Sequence, residues 1–378
     1  MKIIVTDVHS RKAFDIVNIL KGVHKCDLLL FAPTGTKQIL PAIYGQKVFP
    51  LQSESFEGFR VDLLSAIKAD EDEEYIWMAV SEEPTLLLYE LMEKEPDHPI
   101  QHLLPSRDMF ELARNKADFQ NFCEERGLPV PASFSTGDLK DLEENFRPVI
   151  AKKRIGAGSV GMKYVERPDQ LSRLNGISDR EFLIQEKVES RKKIHGMFCL
   201  ARNGELLNWH GHERIRTFPE KGGVTVYSRS VYIDELKEIS EKLLKELNWS
   251  GFAMVEFLQD DRTGEWKIIE LNPRLWGSVM LSEFCGSGLL MNYVKLLKSE
   301  KIEESSKFSD RYIRWFFPFE VISLMKGKIG LREFLNRKGP ETCYINFTYS
   351  SLPRALLFQL YFTFNGRSVK RFFKKLLP

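Results

Sequence analysis

The chain lacks most of the features that would sort it quickly. Its five cysteines, Cys26, Cys123, Cys199, Cys285 and Cys343, are odd in number and far apart. No C-x-x-C pair occurs among them, which argues against a disulfide framework or a thiolate metal or redox site and fits a reducing cytoplasm. No apolar run approaches the ~20 residues of a membrane span. The opening MKIIVTDVHSRKAFD is broken at once by Asp7 and His9, too early for a signal peptide. Fifty-five basic side chains balance 53 acidic ones to a net +2, so no nucleic-acid partner is expected. Internal repeats and low-complexity blocks are missing, as is any convincing Ser-His or Cys-His nucleophile.

What is present is an ordinary globular composition, 43% apolar and 29% charged over 378 residues, long enough for two or three domains. KIIVTD, DLLLFA, QKVFPL and YIWMAV alternate with helix-like segments, the rhythm of a parallel sheet with crossover helices. The Pro-containing stretch EPDHPIQHLLPS closes this α/β region and places a boundary near Pro105. SRDMFELARNKADFQNFCEERG then predicts a helix or a pair of helices, with Ser106 as N-cap and Gly127 as the stop. Beyond it β-branched runs dominate (RPVIAKK, GMKYVE, EFLIQEKV, KIHGMFCLA, ELLNWHGHE, VTVYSRSVYI), the texture of an antiparallel α+β region. One amphipathic helix interrupts it at DELKEISEKLLKELNW. The polar run Ser299 to Asp310 reads as a linker.

AKKRIGAGSVGMKYVE carries Gly156, Gly158 and Gly161 in a G-x-G-x-x-G. A dinucleotide fingerprint requires a helix after the glycines, but MKYVE followed by Arg167-Pro168 reads as a strand. A protein kinase requires V-A-I-K, H-R-D and D-F-G, and none is found. The loop instead joins two strands, with Lys152 and Lys153 at its mouth, where an ammonium and backbone N–H groups reach phosphate oxygens together. A plain surface hairpin with solvated lysines is the alternative.

GFAMVEFLQDDRTGEWKIIELNPRLWGS predicts a hairpin through the turn-rich DDRTG. With the turn centred near Thr263, Glu256 faces Glu270, and Asn272 shares their side of the sheet. Two carboxylates about 4 Å apart cost on the order of 4 kcal/mol at an effective dielectric of 20, so the pair calls for a cation. Oxygen ligands suit Mg²⁺ better than zinc. Arg274, stiffened by Pro273, is placed to reach a transferring phosphoryl group. A register shifted by one would turn one glutamate outward.

With these motifs in order, and IIELNPRLWGS the most specific of them, the chain from Met1 to about Ser299 resembles the ATP-grasp superfamily. Within it the chain is similar to the ligases related to biotin carboxylase, the carbamoyl-phosphate synthase large chain and D-alanine ligases. The resemblance implies an α/β plus α+β protein: an open parallel α/β domain over 1–105, a two-subdomain ATP-grasp unit over 106–300 with its glycine-loop lid at about 130–190, and a C-terminal extension over 301–378. It implies an ATP-dependent carboxylate-amine ligase using ATP and Mg²⁺, with Mn²⁺ as a substitute, on small carboxylate and amine substrates. It implies that Lys116 and Lys152 contact phosphate or the adenine side, with Gly156, Ala157, Gly158, Ser159 and Gly161 as the cradle. By the same likeness Gln185 and Glu186 lie near the adenine amine, Lys187 and Val188 offer backbone groups, and Glu189 is a ribose partner. Glu256, Glu270 and Asn272 become the Mg²⁺ ligands and Arg274 the catalytic arginine. Where a proline commonly follows the strand lysine this chain has Lys153, so the choice between Lys152 and Lys153 stays open. Carboxylation through carboxyphosphate, or a nucleotide-binding regulatory module without turnover, remain the other readings.

In WHGHERIRTFPEKGGVTVYSRSV, Arg214 and Arg216 alternate onto one strand face, where related synthases bind the acyl group and phosphate. A solvated edge strand is an equal reading. His210 and His212 have the spacing of strand metal ligands without a third nitrogen or sulfur ligand nearby, which favours ordinary strand histidines. The tail adds Arg367, Lys370, Arg371, Lys374 and Lys375 around Phe372 and Phe373, after an apolar run from Ala355 to Phe364. Packing on the protein's own body is the expected arrangement. A peripheral contact with anionic lipid at the inner membrane face and a protein-partner surface are its alternatives, and an oligomer is compatible with all three.

Overall fold

The structure, a computed structural model, describes residues 1–36, 38–67, 73–156, 161–191, 193–218, 224–302, 308–335, 342–344 and 347–364. They fall into two compact units. The first comprises Met1–Leu104, Thr225–Ser230 and the described residues from Arg274 on; the second comprises Pro105–Val224 and Val231–Pro273.

The first unit is built on apolar strands that alternate with helices, the pattern that forces parallel pairing. Strands β1 (Lys2–Val5), β2 (Leu28–Pro33), β3 (Val48–Leu51), β4 (Tyr75–Met78) and β5 (Ile100–Gln101) form one sheet in the order β3-β2-β1-β4-β5. Every pair is parallel. One face of the sheet is closed by Phe59 and Leu63 of the helix Phe56–Ile67, which pack with Phe31, Trp77 and Leu88. Strand β5 lies inside the Pro-containing stretch that the sequence marks only as a boundary. At two residues long, it has no periodicity to detect.

In the second unit the expected helical segment is two helices, Arg107–Arg114 and Lys116–Glu125. They part at Asn115, which leaves the helical region at φ −91°, ψ 104°, while its side-chain oxygen accepts from the Ala117 N–H at 3.2 Å. That cap fixes Lys116 as the first residue of the second helix. Strands β6 (Ser133–Phe134), β7 (Val149–Lys153), β8 (Lys163–Val165) and β9 (Phe182–Glu186) form an antiparallel sheet in the order β6-β9-β7-β8. Its core holds Val149, Ala151, Val165 and Ile184 with Leu142 and Leu174. A second antiparallel array joins β10 (His195–Arg202) and β11 (Glu205–Phe218) to the hairpin described below.

The chain re-enters the first unit through Thr225–Ser230 of β12 (Val224–Val231), and the helix Asp234–Glu246 follows within the second. The second unit ends on the hairpin β13 (Gly251–Gln259) and β14 (Trp266–Asn272). In the first unit β12 pairs antiparallel with β15 (Tyr312–Arg314), and β15 pairs parallel with β16 (Thr342–Tyr344). The described residues after Asp310 belong to the first unit. Phe358 of the helix Leu352–Phe364 stacks on Phe14 at 4.0 Å between ring centroids. The physical reason is that this helix has an apolar face to bury and the helix Arg11–Val17 offers one. Arg367, Lys370, Arg371, Phe372, Phe373, Lys374 and Lys375 lie outside the described residues.

Candidate phosphate and metal site

The β13–β14 hairpin sets the site by its register. Near the turn Gln259 pairs with Trp266, Leu258 with Lys267 and Phe257 with Ile268. Past an irregularity between Glu256 and Phe257 the pairing becomes Glu256 with Glu270, Val255 with Leu271 and Met254 with Asn272. Ile269 is the extra residue. Without this bulge the register near the turn would set Glu256 opposite Ile269, so one inserted residue brings the two carboxylates face to face. The turn is held by Asp260: its carbonyl accepts from the Gly264 N–H at 2.7 Å and its carboxylate from the Arg262 N–H at 3.0 Å. Gly264 takes the left-handed φ of +76° that lets the turn close.

Glu256 and Asn272 are buried and Glu270 is half-buried. Cations answer both acids within the same unit. Arg214 of β11 donates to Glu256 Oε1. Lys116 Nζ lies 3.4 Å from Glu270 Oε1 and donates to the Gly156 carbonyl at 2.6 Å, while its backbone N–H donates to the Arg154 carbonyl at 2.8 Å. Lys116 therefore ties the start of the glycine loop to the carboxylate hairpin.

Lys152 is the third cation. Burial lowers its ammonium pKa to about 8, Glu270 and Glu256 oppose that shift, and neighbouring Lys116 adds to it. Lys153 is exposed and lies along the loop instead, its Cε 3.3 Å from where a Cβ on Gly161 would sit. Strand alternation is the cause: Val149 and Ala151 enter the core, which turns Lys152 to the opposite side. Gly156 at φ +141° and Gly161 at φ +77° bracket the loop. Ala157, Gly158 and Ser159 lie outside the described residues.

The other sequence candidates are spread more widely. Arg216 is half-buried two residues beyond Arg214 on β11. Gln185 is buried, its amide donating to Gln120 Oε1, and Gln120 in turn donates to the Pro131 carbonyl at 2.6 Å. This glutamine pair braces β9 against the helix Lys116–Glu125. Glu186 is bound by Arg262, which is marked in the sequence only by its place in a turn. The Lys187 N–H donates to the Pro148 carbonyl at 2.8 Å and its ammonium pairs with Glu166 at 2.7 Å. Val188 is buried, and the Glu189 carbonyl accepts from the Asp261 N–H at 2.7 Å. Arg274 belongs to the first unit, where its Nε donates to Glu82 Oε1 at 3.1 Å. His210 and His212 are buried, and burial pushes His210 down to about 3.

Among the described residues no group of three His, Cys, Asp or Glu side chains is arranged to hold a metal. The Glu256, Glu270 and Asn272 set consists instead of two carboxylates and an amide. All its donors are hard oxygens on adjacent strands, and each carboxylate already has a cation beside it. That donor chemistry fits Mg²⁺.

Facing carboxylates, an amide oxygen and three cations gather at the root of a glycine hairpin on an antiparallel scaffold. The family described as the ATP-grasp domain matches residues 113–278 of the chain. Acetyl-CoA carboxylase 2 of rice is 29% identical over 139 residues, which cover 34% of this chain and 6% of that protein. The chain thus spans a small part of that relative's length. Among solved structures, biotin carboxylase from Campylobacter jejuni matches with a TM-score of 0.62 at 15% identity, covering 82% of this chain and 74% of that one. N5-carboxyaminoimidazole synthetase from Staphylococcus aureus matches with a TM-score of 0.62 at 13% identity, covering 87% and 85%. At these identities the likeness is one of fold: a parallel α/β region followed by the antiparallel ATP-grasp sheets.

Proposed function

We propose that the protein is an ATP-dependent ligase that activates a substrate carboxylate as an acyl phosphate, which an amine then attacks to give an amide. The observation that carries this reading is the bulge-set pairing of Glu256 with Glu270, with Asn272 on the same side and Lys116, Arg214 and Lys152 close by. Burying two facing carboxylates is unfavourable for a fold that only has to stand, and becomes useful when a divalent cation and phosphate oxygens arrive.

A carboxylate oxygen attacks the γ-phosphorus in line and ADP leaves with the bonding electron pair. The amine nitrogen then attacks the acyl carbon, phosphate departs, and the nitrogen gives up its proton. Lys116 and Lys152 hold the oxygens of the transferring group, and the glycine hairpin supplies backbone N–H donors. Arg214 and Arg216 are the candidates for the acyl phosphate. Glu256, Glu270 and Asn272 would hold Mg²⁺, which would supply charge neutralisation for the phosphoryl transfer. With bicarbonate as the carboxylate the same chemistry gives carboxyphosphate. Similarity to biotin carboxylase supports that second reading.

The test incubates the protein with ATP, Mg²⁺ and pools of carboxylic acids, amines and bicarbonate, following ADP, phosphate and new amide masses. Substrate-dependent ADP release that Glu270→Ala lowers by about 10³-fold is expected. Nucleotide binding without turnover across all pools would leave only a binding module, and NAD(P) binding at the glycine loop would remove both readings.

A further inference from the structure

Strand β1 sits where the strand order of the parallel sheet changes direction, with β2 and β3 on one side of it and β4 and β5 on the other. In open α/β sheets small ligands bind outside the carboxyl ends of the strands at this point. Here the chain leaves β1 at Val5, runs through residues 6–10 and opens the next helix, Arg11–Val17, with two cations in succession, Arg11 and Lys12. Lys12 donates to the Val80 and Leu275 carbonyls, and Arg274, also in this unit, donates to Glu82. Arg11 is answered differently. Its Cζ lies 4.4 Å from the centroid of the Trp315 ring and 5.1 Å from that of Phe319. Its Nη1 is shut off from solvent without a hydrogen-bond partner among the described residues.

Trp315 repeats the pattern. It is 2% exposed, its backbone N–H donates to the Val226 carbonyl at 2.8 Å, and its indole Nε1 is buried with no acceptor among the described residues. Two side chains in contact, one of them charged, therefore each bury a donor that the described residues leave unmet. The aromatic rings offset part of the guanidinium charge through their quadrupoles but bring no acceptor oxygen to its N–H groups. Neighbouring Arg314 shows the usual arrangement, donating to Glu320 Oε2 at 2.6 Å and to the Phe334 carbonyl at 3.1 Å. An unmet buried donor is costly, and more so when charged, so a pair of them in contact points to an acceptor supplied from outside. Burial lowers Arg11 to about 10, with Asp15 opposing the shift, so the guanidinium is charged at neutral pH.

We propose that Arg11 and Trp315 bind the carboxylate of a small monoanionic molecule beside the carboxyl end of β1, one oxygen accepting from the guanidinium and the other from the indole N–H. Charge selects the class. A single guanidinium on which the Asp15 carboxylate already acts cannot balance a dianionic phosphate, whereas a monoanion asks for one cation and one neutral donor. The number of donors agrees, since a carboxylate brings two oxygens and the contact offers two unmet buried N–H-bearing atoms. The site lies wholly in the first unit and does not rest on the ligase reading.

The full chain is titrated calorimetrically with sodium benzoate, sodium acetate and inorganic phosphate at constant ionic strength, and its thermal melting is followed with and without benzoate. Saturable binding of one benzoate per chain is expected, about tenfold or more tighter than that of phosphate. Arg11→Met should weaken benzoate by about tenfold or more, the loss of a charged donor. Trp315→Phe, which keeps a ring and removes the N–H, should weaken it by about three- to tenfold. Benzoate should raise the melting temperature of the parent chain and not that of Arg11→Met, a difference that a purely structural role for Arg11 would not produce. Absence of saturable carboxylate binding, tighter binding of phosphate, benzoate binding that survives both variants, or equal stabilisation of parent and Arg11→Met overturns the proposal. Benzoate binding that Arg214→Ala removes and Arg11→Met leaves intact also overturns it, by assigning the carboxylate to the second unit.

Discussion

Two lysines, one in each unit, show how the same cost is put to different ends. Lys12, on the helix Arg11–Val17, is pulled down to about 7 by burial and by Arg274, with Asp7, Glu82 and Glu83 opposing. Its ammonium donates to the Val80 carbonyl and, at 3.4 Å, to the Leu275 carbonyl. Lys152 is pulled down to about 8 by burial, with Glu270 and Glu256 opposing. It has no hydrogen-bond or ion-pair partner among the described residues. Lys12 is a cross-link whose donors are committed to backbone oxygens, whereas Lys152 is held charged by carboxylates with its donors open to an incoming anion. A depressed lysine is therefore not by itself the mark of a site; what matters is where its hydrogen bonds end.

The comparison is broken most severely by exchanging each lysine for methionine. Lys152→Met should lower kcat/KM for ATP by about 10²–10³-fold, the scale of one lost charge-stabilising donor, with melting unchanged or slightly raised because a buried charge is removed. Lys12→Met should cost roughly 1–2 kcal/mol of stability, from hydrogen bonds lost to two carbonyls, and leave kcat/KM within about threefold. Steady-state kinetics and thermal melting on the two variants decide it. Equal losses of turnover would mean that both lysines serve the ligand.

A smaller effect sharpens the same contrast. Lys12 has a folded-state pKa near 7 against about 10.4 unfolded, so between those values the unfolded chain binds more protons and stability rises with pH. Below about 7 both states carry the charge and the burial penalty is fully present; above about 10.4 neither does. The stability difference between the parent chain and Lys12→Met should therefore grow in the parent's favour from neutral to alkaline pH, read from denaturant midpoints across that range. A pH-independent difference would show that Lys12 does not titrate in this window.

Much of this was legible in the sequence because it rests on period and order. Strands such as KIIV and YIWM announce a parallel sheet, and ELNPR after a turn-rich DDRTG places two acids and an amide on adjacent strands. The turning of Lys152 away from the core was also within reach, since Val149 and Ala151 read as core residues of the same strand. What could not be read is what depends on a single inserted residue or a distant partner. The bulge at Ile269 has no composition signal, yet it decides whether Glu256 meets Glu270 or Ile269. The amide of Gln185 is turned toward Gln120, 65 residues away in the chain. The docking of the helix Leu352–Phe364 on Phe14 joins opposite ends of the sequence, where periodicity predicts an apolar face but not its partner.

The smallest expected effect concerns the hairpin's own geometry. Gly161 combines a left-handed φ of +77° with a Lys153 Cε 3.3 Å from its would-be Cβ, so two separate costs await an alanine there. The side chain of Lys153 is flexible and exposed and can give by a few tenths of an ångström, whereas the backbone penalty of about 1 kcal/mol cannot be relieved locally. Gly161→Ala should therefore destabilise by about that amount, and adding Lys153→Ala should recover no more than ~0.3 kcal/mol. Lys153→Ala alone should change the KM for ATP by less than about twofold, as expected of an exposed charge. Recovery of full stability in the double variant would show that crowding by Lys153, rather than the left-handed backbone, is what requires glycine at this position.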